Sequence, residues 1–277
     1  MSSLGEGLTA FIRANQRLSA RARIKLSEPE TLGERYLERI ARLMQDGRPE
    51  VVVDVGGGRS CRFADSRPPG VQTRIVAVDA AADELALNED VDETVVADAS
   101  CGLPFASESV DLIVSRMTLE HLPDVGSFVH ESARVLRPGG WCIYLFAGRN
   151  APYALVNRAL PPSVASRLIH VLRPGSEGVY GFRAYYDRCS PHEMEGLLRS
   201  SGFDEVEVEV DYEQAPYFDF FVPLYILAAL YDSATRLLDL RNLAPLVLAC
   251  ARKPEHTADV RSLEPLAREH DLEDSSE

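Results

Sequence analysis

Five short runs rich in β-branched and other apolar residues, at 51–55, 73–78, 94–97, 110–114 and 141–146, constrain the fold of this chain more than any other feature. They are nearly continuous in apolar content, as strands buried on both faces of a parallel sheet must be. Segments between them can form helices. In 124–136, Phe128, Val135 and Leu136 can pack inward, and Pro138-Gly139-Gly140 stops the helix. Alternating strand and helix predicts a Rossmann-like, doubly wound α/β fold with right-handed crossovers and a mostly parallel, seven-stranded sheet.

The flanks fill out the organisation. Residues 1–50 read as a helical preface, with Leu32, Tyr36, Ile40 and Leu43 on one face and Gly47 ending the helix. The domain proper is expected over 51–253, with a helical insertion after the fifth strand and another before the last. The first, at 148–188, reads as a lid that mixes a helix at 163–172 with an aromatic loop at 175–186. Ser190-Pro191-His192-Glu193 is a capping signature for a helix that runs to Gly202. Val206, Val208 and Val210 alternate with glutamates, the mark of a half-exposed strand near a sheet edge. The second insertion, at about 217–240, is apolar and expected to be a helical hairpin closing the sheet. Residues 245–251 supply a last buried strand. From 254 to 277, eight acidic side chains face two arginines, which predicts a disordered acidic tail.

Net charge excludes one class of partner. With 43 acidic against 29 basic residues, a formal charge of -14 repels phosphate backbones, so no nucleic-acid substrate is expected. The five cysteines are scattered and unpaired in spacing, so they are expected to be reduced thiols in a reducing compartment. The start of the sequence lacks a secretory pattern, and no stretch reaches the roughly 18 to 20 apolar residues that span a bilayer. The expected location is the cytoplasm, with contact to the inner face of the membrane left open. Six dispersed histidines give no metal spacing, so no metal is expected.

Chemistry concentrates at the strand ends. In VVVDVGGGRS an apolar strand carries Asp54 and runs into Gly56, Gly57 and Gly58, which permit a sharp turn and close approach of backbone to a ligand, with N–H groups expected to face it. The second strand ends at Asp79, where an acid can accept both ribose hydroxyls of a nucleotide, and the third ends at Asp98, beside the same crevice. Any one of these acids can be a turn or cap residue; three at successive strand ends form a constellation.

The segments VVVDVGGG, VAVDAA, VVADAS, LPFASESVDLIVSRMTLEHL and ESARVLRPGGW resemble, in order, the motifs of class I S-adenosylmethionine-dependent methyltransferases. The likeness is to the small-molecule branch that includes the ubiquinone and menaquinone methyltransferases. It covers about 51–146 and, more weakly, 185–210. It implies S-adenosylmethionine as cofactor, with Gly56 and Gly58 lining its methionine portion. It also implies that Asp79 holds the ribose, that Asp98 with Ala99 meets the adenine, and that Ser115 and Arg116 lie beside the sulfonium. One departure is Arg67-Pro68-Pro69-Gly70, which requires a short or irregular first crossover and leaves the contacts of Arg59 and Ser60 open.

Two other readings compete. A NAD-dependent oxidoreductase also uses a glycine turn and a second-strand acid, but Cys61 stands where G-x-G-x-x-G needs its third glycine. A non-catalytic cofactor-binding scaffold would share the fold. If the acceptor is a hydroxyl, His121 in Leu119-Glu120-His121-Leu122 is the first candidate base, and its alternative is a bond to a backbone carbonyl. Glu120 is the second candidate base after His121, and Glu120, Tyr185 and Tyr186 are candidate substrate contacts. The expected substrate is a small or lipid-carrier-linked molecule, methylated on oxygen, nitrogen or carbon. The apolar 217–230 run is compatible with a buried hairpin, a membrane contact or a homodimer interface.

Overall fold

The structure, a computed structural model, describes residues 3–22, 31–160 and 183–255. Two helices precede the sheet. α1 spans Ser3–Ala22 and α2 spans Leu32–Gly47. α2 starts at a capping box: the Glu34 N–H donates to Thr31 Oγ1 at 3.2 Å, and the Thr31 N–H donates to Glu34 Oε2 at 2.7 Å. Its buried face is Leu32, Tyr36, Ile40 and Met44; Met44 takes the place expected of Leu43, which is only partly buried.

The strands are β1 (Val51–Val55), β2 (Arg74–Asp79), β3 (Glu93–Val96), β4 (Val110–Arg116), β5 (Leu136–Ala147), β6 (Asp204–Asp211) and β7 (Leu246–Arg252). They form one seven-stranded sheet in the order β3-β2-β1-β4-β5-β7-β6. The first five strands pair in parallel, and β7 runs antiparallel to both β5 and β6. β1 and β4 lie at the centre, so their ends open where the strand order reverses, the place where such sheets bind ligands. β3 is an edge strand, and Val96 is 60% exposed, which corrects the expectation of burial on both faces for that run.

Helices cover both faces. On one, α4 (Val125–Val135) and α6 (Pro191–Ser200) bury Phe128, Val129, Met194 and Leu197 against Val53, Val76 and Tyr144. α4 is capped by Asp124, whose Oδ1 accepts from the Ser127 N–H at 2.9 Å. On the other face α2 packs on Val52, Ile75, Leu112, Ile143 and Leu248. Each fully buried aliphatic or aromatic side chain here contributes about 1.5–3 kcal/mol. α2 therefore forms a layer against this face of the sheet. It also explains the glutamates of β6: Arg35 meets Glu209 at 2.9 Å, and Arg39 meets Glu207 at 2.5 Å.

Short elements complete the described residues. The first crossover holds only a single 3-10 turn, Ala64–Ser66, because Pro68 and Pro69 cannot supply helical N–H groups. α3 (Ala82–Leu85) is one turn. α5 spans Pro152–Ala159. The expected helix at 163–172, most of the aromatic loop at 175–186 and nearly all of the acidic tail lie outside the described residues. The second insertion is not a hairpin: a 3-10 turn, Ala215–Phe218, leads into the single helix α7 (Val222–Leu237). α7 buries Tyr225, Ala228, Asp232 and Thr235 and packs beside α1, where the Val222 N–H donates to Asn15 Oδ1 at 3.1 Å. Its outer stripe of Ile226, Leu227, Leu230 and Leu237 is exposed, so the expectation of a buried insertion is corrected. Among the described residues no helix is long and apolar enough to cross a membrane.

Candidate active site

The chain leaves β1 through Gly56 at φ +77° and Gly58 at φ +46°, both left-handed. Space as well as dihedral demands glycine at the first: a Cβ on Gly56 would sit 1.9 Å from Thr118 Oγ1. A Cβ on Gly57 would approach that of Ala77 to 2.8 Å, so this turn packs directly on β2. The loop N–H groups are spent within the protein. Those of Gly56 and Gly57 donate to Val78 O at 2.7 and 3.3 Å, and that of Gly58 donates to Asp79 Oδ2 at 3.1 Å. This corrects the expectation of N–H groups facing a ligand; the loop offers close approach and a tethered carboxylate instead. Asn88, buried, holds the far side by donating to Gly58 O at 2.9 Å.

Asp79 ends β2 half-buried, with Oδ1 accepting from the Ala81 N–H at 2.9 Å. Each oxygen keeps a second lone pair for a ligand hydroxyl. Asp98 caps the turn Ala99–Cys101, its Oδ1 accepting from the Ser100 N–H at 2.9 Å, and this bond holds its carboxyl below the usual range. Ala99 is buried beneath it. All three acids stand at the carboxyl ends of neighbouring strands.

Asp54 is buried, and desolvation with the Asp79 charge pushes its pKa up to about 7, against the opposing pull of Arg116. Arg116 is itself lowered, first by burial and then by Arg62. Ser115 points elsewhere: fully buried, its hydroxyl donates to Val55 O at 2.9 Å and ties β4 to β1. After β4, Met117 adopts φ +55°, a strained value for a side-chain-bearing residue.

The turn Leu119–His121 follows. His121 Nδ1 lies 3.2 Å from Arg183 O, the carbonyl contact that competes with a catalytic role, and burial lowers its pKa. A proton on Nδ1 leaves the lone pair on Nε2. Glu120 is 3% exposed, and burial pushes its pKa up to about 7 against hydrogen bonds from the backbone of Glu120 and Ala147; among the described residues its Oε2 has no hydrogen-bond partner. Tyr185 and Tyr186 donate their N–H groups to Glu120 O at 2.8 and 3.0 Å, which seats that segment on the turn. Tyr186 is buried at φ +54°, whereas Tyr185 is exposed beneath the Arg183 guanidinium.

Residues distant in sequence join this group. Tyr153 of α5 stacks on Tyr217 with ring centroids 4.6 Å apart and an interplanar angle of 7°. Thr118, Asn88, Tyr153 and Tyr217 were not expected as site residues: Thr118 lies within the LPFASESVDLIVSRMTLEHL motif and Tyr217 opens the apolar run at 217–230, but no local motif marks Asn88 or Tyr153. Four of the five cysteines are buried, only Cys101 is exposed, and all are free. No cluster able to hold a metal occurs among the described residues.

Sheet order, glycine turn and strand-end acids together define a Rossmann-like fold of the class I S-adenosylmethionine-dependent methyltransferase type. Residues 53–144, a third of the chain, match the family described as a methyltransferase domain. The malonyl-[acyl-carrier protein] O-methyltransferase of Hahella chejuensis is 35% identical over 111 residues, covering 37% of this chain and 38% of that protein. The trans-aconitate 2-methyltransferase of an Azoarcus species is 29% identical over 191 residues, covering 66% and 71%. Among solved structures, a SAM-dependent methyltransferase from Archaeoglobus fulgidus superposes with a TM-score of 0.52 at 14% identity, covering 86% of this chain and 94% of that one. That likeness speaks to the fold. The chain spans less than two fifths of the length of the first relative.

Proposed function

We propose that the protein transfers a methyl group from S-adenosylmethionine to a small or carrier-linked acceptor. The observation that carries the reading is the coupling of Asp79 to Gly58, which sets a carboxylate and a close-packed glycine turn against one crevice. Asp79 accepts the ribose hydroxyls, while Asp98 and Ala99 border the adenine. Gly56, Gly57 and Gly58 let the methionine portion approach the backbone. Asp54 pairs with the ammonium of that portion, and Arg116 with its carboxylate. Ser115 holds the end of β4 in place through Val55. The sulfonium is already activated, so orientation beside the acceptor supplies much of the rate, up to about 7–11 kcal/mol.

The malonyl-[acyl-carrier protein] enzyme supports a carrier-linked acceptor by its name. The exposed stripe of α7 supports contact with a hydrophobic tail, a membrane surface or a second copy of the chain. The free cysteines support a reducing, cytoplasmic setting. Calorimetry with S-adenosylmethionine, S-adenosylhomocysteine and NAD tests the core of the reading. Saturable heat with the first two and none with NAD is expected; a folded protein that binds neither adenosyl compound overturns it.

A further inference from the structure

Among the described residues, the Glu120 carboxyl is the one buried acid near the proposed methyl-transfer centre that the cofactor reading leaves unused. It stands on the turn that follows β4, beside the end of β5 at Ala147. Its electrostatic reach includes Tyr153, Tyr186 and Cys189, whose own ionisations its charge opposes. Tyr217 stacks on Tyr153, so its ring adjoins one of the two tyrosines within that reach. Among the described residues no ion pair reaches Glu120, and Oε2 has no hydrogen-bond partner. Buried polar groups are otherwise nearly always satisfied, and leaving one unmade costs about 1–3 kcal/mol. The neighbouring backbone is strained: Tyr186 is held left-handed, with its N–H donating to the main-chain carbonyl of Glu120. A costly group held by a strained support at the end of β4 is the pattern of a functional residue.

We propose that Glu120 Oε2 receives the hydrogen of a protic acceptor, a hydroxyl or an amine carried on a flat or apolar body that lies against Tyr153, Tyr186 and Tyr217. A carboxylate acceptor has no such hydrogen to offer and would meet the Glu120 charge unfavourably. In the transfer, the acceptor atom forms its bond to the methyl carbon as the carbon–sulfur bond breaks. The electron pair of that bond stays on sulfur, giving the neutral thioether, and the acceptor's proton passes to Glu120. Charge and atoms balance with no further reactant. Burial keeps this carboxyl poised near neutrality, where a general base works best. His121, whose Nδ1 engages Arg183 O, then orients the turn rather than taking the proton.

The inference rests on the methyltransferase reading, and its test separates the two. Protein first shown to bind S-adenosylhomocysteine is saturated with it and titrated with catechol, benzylamine and benzoate, three ring-sized probes that differ in the group presented. Binding is followed by ligand-observed NMR in wild type and Glu120→Leu. Catechol or benzylamine should bind the wild-type complex and lose at least about tenfold in affinity in Glu120→Leu, with S-adenosylhomocysteine affinity unchanged. Glu120→Leu should lose some heat stability, because it removes the unpartnered Oε2 but also the carboxyl that accepts from the backbone N–H groups of Glu120 and Ala147. Label from the methyl donor should pass to the bound protic probe at a rate that rises through about pH 7 in wild type and is lost in the variant. The proposal is overturned if neither protic probe binds, if benzoate binds best, if wild type and variant bind alike, or if transfer is absent or independent of pH. If Glu120→Leu does not fold, Glu120→Asp and the wild-type pH profile decide the same question. Failure to bind S-adenosylhomocysteine at the outset counts against the cofactor reading instead.

Discussion

The Gly58 N–H donates to Asp79 Oδ2 at 3.1 Å, so the acid that ends β2 also fixes the turn that ends β1. One side chain thus sets the backbone of the turn and, in the proposed function, also offers lone pairs to the ribose. Asp79→Ala removes both. Its affinity for S-adenosylmethionine should fall about 30- to 150-fold, the loss of one or two charge-assisted hydrogen bonds. Far-ultraviolet circular dichroism should be unchanged. Unaltered calorimetric affinity would reject the assignment.

Gly56→Ala should damage the turn through two separate causes. The backbone at φ +77° costs a non-glycine residue about 1–2 kcal/mol, and the new methyl group collides with Thr118. Thermal denaturation should show a clear loss of stability. Pairing the change with Thr118→Gly should restore only part of it, because the dihedral strain remains. Full recovery in the double variant would show that crowding alone selects glycine.

The raised pKa of Asp54 has a definite sign. The carboxyl is pushed from 3.8 up to about 7, so the folded protein holds a proton that the unfolded chain has released across that interval. Its contribution to apo stability is complete below about pH 4 and is lost as pH rises to 7. Cofactor affinity runs the opposite way: the cationic ligand needs the carboxylate, so binding should weaken as pH falls below 7. Asp54→Asn should flatten the affinity profile between pH 5.5 and 8 relative to wild type, a range bracketing the value of about 7. A wild-type profile that is already flat over that range would remove Asp54 from the ammonium contact.

Leu227 and Leu230 are 63% and 64% exposed on α7, so replacing both with serine should change stability by less than about 1 kcal/mol. If the stripe is a contact surface, the same pair of changes should reduce self-association in sedimentation velocity, or flotation with anionic vesicles. Identical behaviour of wild type and variant in both assays would show that the stripe makes neither contact.

How much of this was legible from the residues alone follows from the range over which each interaction acts. The strand ends at Asp54 and Asp79 could be read because apolar runs and their terminal acids lie within a few residues of one another. The start of α4 could be read because Asp124 and Ser127 sit in a single turn. The surroundings of Glu120 could not, because Tyr153 comes from α5 and Tyr217 stacks on that ring from the turn before α7. The Ser115 hydroxyl gave no warning that it would turn into the core, since strand alternation does not say which face a neighbouring carbonyl occupies. The stripe of α7 misled in the opposite sense: apolar residues suggested burial, yet the helix presents them outward and buries Asp232 and Thr235.

The position of α2 bears on how the protein can be cut. Tyr36 of that helix is buried close enough to Asp54 for the two groups to oppose each other's ionisation. A fragment trimmed to the family-matching span of 53–144 would lose this layer and leave Ile75, Leu112 and Ile143 without cover. Such a truncation should yield insoluble material rather than a minimal cofactor binder, so expression boundaries need to begin upstream of Thr31.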